Sequence, residues 1–438
     1  MSLELAERIY EQLSQIRLID PHTHINALKP ASETLADILG YHYYTELAHS
    51  AGAQREVIEQ PNLDPKEKVA VLFANTHNLD NTVQFSWFVE MARELFDFQE
   101  PTVDANNWES LYDRALELMQ SGNWAQTVME KSKLDAVFLT NDFDDPLEGF
   151  DTNVFVPCLR TDDLVFHLNK ESVQERLNNA VTVEVSNAAS LRKALSQLFD
   201  KFCSQGARAC AISLPPDFAP MKISDSRADT AIAAVLSDGA EVTDNHKRAA
   251  ANFVFWTLAE FCHEYELPFD LMIGVNREVY ASGVHQGRDL FDSHVSLIQY
   301  RELFNAFPSV KFPISVLASV TNQELVSYAW IFPNVYTHGH WWYSNIPTYI
   351  QQDATARLEA VPRNKQIGYY SDMYKLEFAL PKFNMYKRIL SHILAERFVI
   401  DRRWSEEQAI ALGKQNLRGN VESIFLGNNP EEGFLLVD

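Results

Sequence analysis

Across 438 residues the chain carries 37 Lys+Arg against 60 Asp+Glu, a formal net charge of −23, which excludes a nucleic-acid binder that works by clustering basic groups on phosphates. Hydrophobic residues make up 46% and charged residues 22%, so the chain is neither disordered nor fibrous and has apolar surface for a large core. The 4 cysteines, Cys158, Cys203, Cys210 and Cys262, lack C-x-x-C spacing, which argues for reduced thiols rather than a disulfide framework.

The opening stretch, MSLELAERIYEQLSQIRLID, is charged and has no apolar core of the kind a secretory signal needs. No run of about 18 apolar residues follows, so a cytoplasmic protein without membrane contact is expected. The first strand-like run is Ile16–Asp20. After it come helical patterns at Phe85–Phe98 and Trp108–Met119, and then Ala136–Thr140, Val154–Leu159, Ala209–Leu214, Phe269–Val275, Val310–Leu317, Val335–Thr337 and Ile367–Ser371. Several of these runs are continuously apolar, as parallel strands buried on both faces are. Between the third and fourth, Leu191, Ala194, Leu195, Leu198, Phe202 and Cys203 recur at helical spacing, with Gly206 as a stop. Phe253, Trp256, Leu258, Phe261 and Cys262 mark the next helix. Beyond the last strand, Glu377–Arg397 and Glu406–Ile424 are helical, the second opened by Ser405 with Gln408 in a capping-box pattern.

Strands alternating with helices predict an α/β protein of the (β/α)8 TIM-barrel type, a single domain over residues 1–438. The gap of roughly 110 residues after the first strand predicts a helical insertion over 25–134 at the top of the barrel. A doubly wound open sheet is the alternative, without the G-x-G-x-x-G that often follows its first strand.

The first strand ends in Asp-Pro-His22-Thr-His24. Side chains two apart on a strand share a side, so both imidazoles can converge on a divalent metal at the C-terminal mouth, where barrel active sites lie. A short H-x-H is a weak motif alone, and two polar residues in a turn would look the same. A second pair, His338-Gly-His340, leads into Trp341-Trp342-Tyr343 and would also open onto the mouth. The eighth strand ends Tyr369-Tyr370-Ser371-Asp372, placing a carboxylate at the rim. Asp372 would complete a metal site with His22 and His24, act as a base, or cap the next helix.

With these residues the chain resembles the amidohydrolase superfamily, and more closely the uronate isomerase (glucuronate isomerase) family. Tyr41-His42-Tyr43-Tyr44 with Glu46-Leu47 and Ser50-Ala51-Gly52 is similar to the family's segment after strand one. Thr140-Asn141-Asp142 through Asp145-Pro146 resembles its TTDDP stretch, Val156–Asp162 its P-x-x-R-x-D segment, and Gly339–Asn345 its G-x-W-W-F-x-D. Three positions depart from it. Met272 stands where the family has a strand-five histidine, Ala211-Ile212-Ser213-Leu214 where a D-H-G follows strand four, and Ser371-Asp372-Met373-Tyr374 where it has T-D-S-R, with Lys375 the nearest base.

The resemblance implies interconversion of an aldose hexuronate, D-glucuronate or D-galacturonate, with its ketose, fructuronate or tagaturonate, by proton transfer between C2 and C1. Asp372 is then the candidate base, with His42 and Tyr43 as catalytic contacts. Arg160, Trp341, Trp342 and Lys375 are the candidate substrate contacts. His22, His24 and Asp372 are the ligands of a divalent metal, Zn²⁺ first among the candidates. The implied partner is a small sugar acid, with a homo-oligomer left open. A metal-dependent hydrolase drawing further ligands from His338, His340 or His285, and a non-catalytic sugar-acid-binding barrel, are the other readings.

Overall fold

In the computed structural model, which describes residues 2–74 and 76–427, the parallel strands pair in chain order. β1 (Leu18–Asp20) lies beside β2 (Leu134–Phe138, resuming at Asn141–Asp142), and β2 beside β3 (Phe155–Val156 and Cys158–Arg160). β4 (Ala209–Leu214), β5 (Phe269–Ile273), β6 (Phe312–Val316), β7 (Val335–His338) and β8 (Gln366–Ile367) follow, each parallel to the one before. β5 and β6 are buried at every position, which is why their sequences are apolar runs rather than alternating ones.

Among the described residues no ladder joins β8 to β1. The ring is closed just past the two strand ends. Ser371 N donates to Asp20 Oδ1 at 3.1 Å, Asp372 N to His22 O at 3.2 Å and His24 N to Met373 O at 2.8 Å. This seam brings the first H-x-H and Asp372 together.

β8 is shorter than the predicted Ile367–Ser371 because its backbone finds other partners. Gly368 N donates to Asn416 O, and a Cβ at Gly368 would lie 1.9 Å from Asn416 Oδ1, so the chain must leave the ladder to pass the C-terminal helix.

The helices follow the apolar stripes. Ala188–Ser204 buries Leu191, Ala194, Leu195, Leu198 and Phe202 and is capped by Asn187, whose side chain accepts from Ser190 N. Between β1 and β2 lie Leu35–Leu39, His42–Ser50, Arg55–Ile58, Pro65–Phe73, Val83–Phe96, Trp108–Met119 and Trp124–Ser132. Val83–Phe96 starts and stops two residues before the predicted Phe85–Phe98, because Thr82 caps it and Asp97 ends it at φ 52°. These helices share one apolar cluster with Ser2–Ser14 and Ala379–Ile393. The predicted capping box at Ser405 and Gln408 is present, but that helix is regular only over Glu406–Lys414 and continues in wider turns at Gln415–Gly419 and Glu422–Leu426. The preceding helix likewise widens at Leu394–Ile400. No described helix is long and apolar enough to cross a membrane.

Candidate functional site

The two imidazoles after β1 are oriented by what their Nδ1 atoms meet. His22 Nδ1 lies 3.1 Å from Asp270 Oδ2, an acceptor, so the proton sits on Nδ1 and Nε2 keeps its lone pair. Thr140 Oγ1 donates its one hydrogen to Thr23 O at 3.0 Å and therefore accepts from His24 Nδ1 at 2.7 Å, with the same consequence for His24. Both Nε2 atoms then face Asp372 Oδ1, at 3.7 Å from His22 and 3.3 Å from His24. His22 Nε2 and Asp372 Oδ1 are buried without a hydrogen-bond partner.

Three acceptor atoms gathered in this way repel one another unless a cation lies among them. The two distances to Asp372 Oδ1 are close to the roughly 3.4 Å between tetrahedral ligands that sit about 2.1 Å from a metal. Among the described residues, His22, His24 and Asp372 form a group able to hold a metal ion.

The three groups set one another's charge. Burial pushes the Asp372 carboxyl up, but His24 and His22 outweigh it and hold the group below the usual carboxylate range. Burial lowers His24, keeping its imidazole neutral. His22 is shifted up against its burial by Asp270, Asp372 and Asp20.

Asp270 is a site residue that the motifs did not disclose. It stands on β5, buried, with Oδ2 on His22 and Oδ1 3.0 Å from His338 Nδ1. Burial raises its carboxyl, but His338 and His22 outweigh this and hold it well below the usual carboxylate range. The available signal was one acid inside the apolar run Phe269–Val275, since a charge in a fully buried strand must be paired. Two residues on, Met272 packs with Trp341 and Tyr370.

The second H-x-H does not open onto the mouth as a pair. Gly339, at φ 45°, turns the chain between its members. His338 points into the barrel toward Asp270, while His340 lies behind the sheet beside Tyr369 and Tyr386, where burial drives it well below the usual imidazole range. The backbone of His285 is tied to Glu59 in the loop that follows Arg277. None of the three joins His22, His24 and Asp372 in the metal-holding group.

The helix His42–Ser50 supplies a wall. His42 Nδ1 lies 2.6 Å from Glu46 Oε1, and Tyr43 OH reaches Asp372 Oδ2 at 3.4 Å. Trp342, at φ 40°, packs edge-on to His42 with ring centres 5.0 Å apart and lies 6.2 Å from the Tyr43 ring. Trp341 turns inward to Met272 and Tyr370. The structure does not bring Lys375 to the cluster, because its Nζ donates to Lys29 O and Ala31 O at 3.0 and 3.2 Å.

A cavity of about 720 Å³ opens beside His24, lined by Thr140, Asp142, Arg160, Gln286 and Tyr374. Arg160 uses Nε on Asp162 Oδ2 at 3.2 Å, and its side chain is still 36% exposed. Gln286 comes from the loop between the paired residues Val275–Asn276 and Leu290–Phe291, and nothing in its local sequence marks it.

A family model described as glucuronate isomerase matches residues 1–425. No curated protein sequence matches the chain. Among solved structures, uronate isomerase from Thermotoga maritima is 18% identical, with 96% of this chain and 97% of that one covered and a TM-score of 0.88. Uronate isomerase from Bacillus halodurans C-125 is also 18% identical, at 100% and 99% coverage and a TM-score of 0.80. Glucuronate isomerase from Caulobacter crescentus is 17% identical, at 98% and 95% coverage and a TM-score of 0.89. At these identities the likeness shows the fold alone, a barrel of parallel strands alternating with helices.

Proposed function

The chain belongs to the glucuronate isomerase family, and from that premise we propose how its residues divide the isomerisation of an open-chain hexuronate, D-glucuronate or D-galacturonate, to the corresponding ketose. The reading takes residues 1–438 as one barrel domain with 25–134 as its helical insertion. The observation that carries it is the convergence of two Nε2 atoms and an unpartnered carboxylate oxygen beside a cavity wide enough for a sugar acid.

His22, His24 and Asp372 would hold a divalent ion, Zn²⁺ by the softness and number of the donors. When bound, such an ion would supply Lewis-acid polarisation of substrate oxygens. The chain must also move two protons, one between carbons and one between oxygens. Asp372, ionised because its carboxyl is held low, takes the proton from C2 and returns it to C1 through the enediol, while the hydroxyl proton on O2 passes to O1 by way of the Tyr43 hydroxyl. Tyr43 holds the Oδ2 side of that carboxylate and offers a hydroxyl to the substrate oxygens. His42, tied to Glu46, and Trp342 line the hydroxyl side, with Trp341 packed behind them, while Arg160 grips the sugar carboxylate in the cavity. A net charge of −23 does not prevent this, since an anion within a few ångströms of Arg160 is governed by the local cation and more distant charges are screened.

Purified wild-type protein is expected to carry about one divalent ion per chain by elemental analysis and to isomerise glucuronate or galacturonate, whereas His22→Ala/His24→Ala carries none. Equal metal content in the two proteins would sink the site. Arg160→Met should raise KM for the uronate by roughly 10- to 150-fold, the worth of a charged hydrogen bond, with a smaller effect on kcat. An unchanged KM would move the anchor to another base such as Arg277.

A further inference from the structure

Lys382 has no place in the proton transfer, yet it is wholly buried at 0% exposure on the helix Ala379–Ile393, beneath the Asp372 seam. Its Nζ donates to Ser371 O at 2.6 Å. The rest of the ammonium is boxed by rings, with centroids of Tyr41, Tyr43, Trp87 and Phe378 at 5.4, 5.0, 5.0 and 6.0 Å. A buried cation hydrogen-bonded to a carbonyl rather than a carboxylate is costly, and cation–π contact offsets only part of that cost. The carbonyl it holds belongs to the peptide that leads into Asp372.

Asp372 itself is strained. It sits at φ 55°, a left-handed conformation that non-glycine residues adopt rarely unless their surroundings impose it. Here the surroundings do impose it. Lys382 holds the carbonyl before Asp372, Tyr41 OH donates to Asp372 O at 2.9 Å, and Asp372 N donates to His22 O at 3.2 Å. The Tyr41 ring also packs against the Lys382 ammonium, so the two donors brace each other.

We propose that Lys382 and Tyr41 form a clamp that fixes the left-handed backbone at Asp372 and so aims its carboxylate between His22, His24 and Tyr43. Both are positioning residues, and the proposal rests on the reading of that cluster as the metal and proton-transfer site.

The test uses Lys382→Met, which keeps length and loses both donor and charge. Zn²⁺ affinity of the metal-stripped protein is read by calorimetry, with kcat and KM taken separately. Two explanations predict opposite signs. Were Lys382 only a nearby charge, its removal would tighten cation binding, whereas loss of a clamp weakens it. The expected result is a folded protein with Zn²⁺ affinity reduced about 10-fold or more and kcat reduced about as much, while KM moves by less than about threefold. Should Lys382→Met fail to fold, Tyr41→Phe, which removes only the hydroxyl on Asp372 O, decides by the same readings. Unchanged or tighter Zn²⁺ binding with unchanged kcat in the folded variant overturns the clamp. A wild-type protein that takes up no Zn²⁺ overturns the site beneath it.

Discussion

Asp372→Asn should lower kcat on a uronate by at least ~10²-fold, because the amide keeps the shape of the side chain and removes the base. The other carboxylates near the seam are placed differently. Asp270 has an imidazole on each oxygen, and Asp20, whose Oδ2 is unpartnered, is wholly buried, its Oδ1 accepting from Ser371 N and His22 N. Asp372 alone of the three has an oxygen on the Nε2 side of both histidines. Its lowered pKa bears on the pH dependence. A carboxyl held below its ordinary value is ionised through the neutral range, so Asp372 itself should give no acid limb of the kcat profile near neutrality, and a limb found there belongs to His22, whose imidazole is shifted up. Full activity in Asp372→Asn would transfer the proton to Asp142 or to bound water.

Asp270→Leu carries the second large expectation. It strips two buried imidazole N–H groups of their only acceptor, so unfolding of the metal-free protein in urea should need about 3–5 kcal/mol less, the cost of breaking a buried charged pair. Without that carboxylate His22 is free to place its proton on Nε2, the atom needed for a metal, and Zn²⁺ affinity should fall about 10- to 100-fold. The sign of the pH effect follows from the depressed carboxyl. Its contribution is present above the ordinary carboxylate value of about 4 and is lost as pH falls toward the folded value, so the stability gap between wild type and variant should close in acid. Metal affinity unchanged by Asp270→Leu would reduce Asp270 to a packing residue.

These expectations differ in how they became visible. The strands were legible because burial on both faces writes itself locally, as in Ala209–Leu214, whose predicted and observed limits coincide. His22 and His24 were legible as a pair two residues apart just past the first strand. Asp372 was legible as the carboxylate after the last predicted strand, although β8 ends at Ile367 and it is the seam that places Asp372. Asp270 was half legible, as an acid in an apolar run without a visible partner, since the partners lie 248 and 68 residues away in the chain.

By itself the sequence determined which segments are apolar on one face or both, where helices are capped, and that two histidines leave the first strand together. Only the tertiary structure decided that Gly339 sends His338 and His340 to opposite sides of the sheet, that Gly368 cuts β8 short against Asn416, and that Gln286 and Lys382 reach the site at all. Local periodicity reports how much of a residue is buried. Which polar atoms meet is settled where the barrel closes, between groups as far apart in the chain as Ser371 and Asp20, separated by 351 positions.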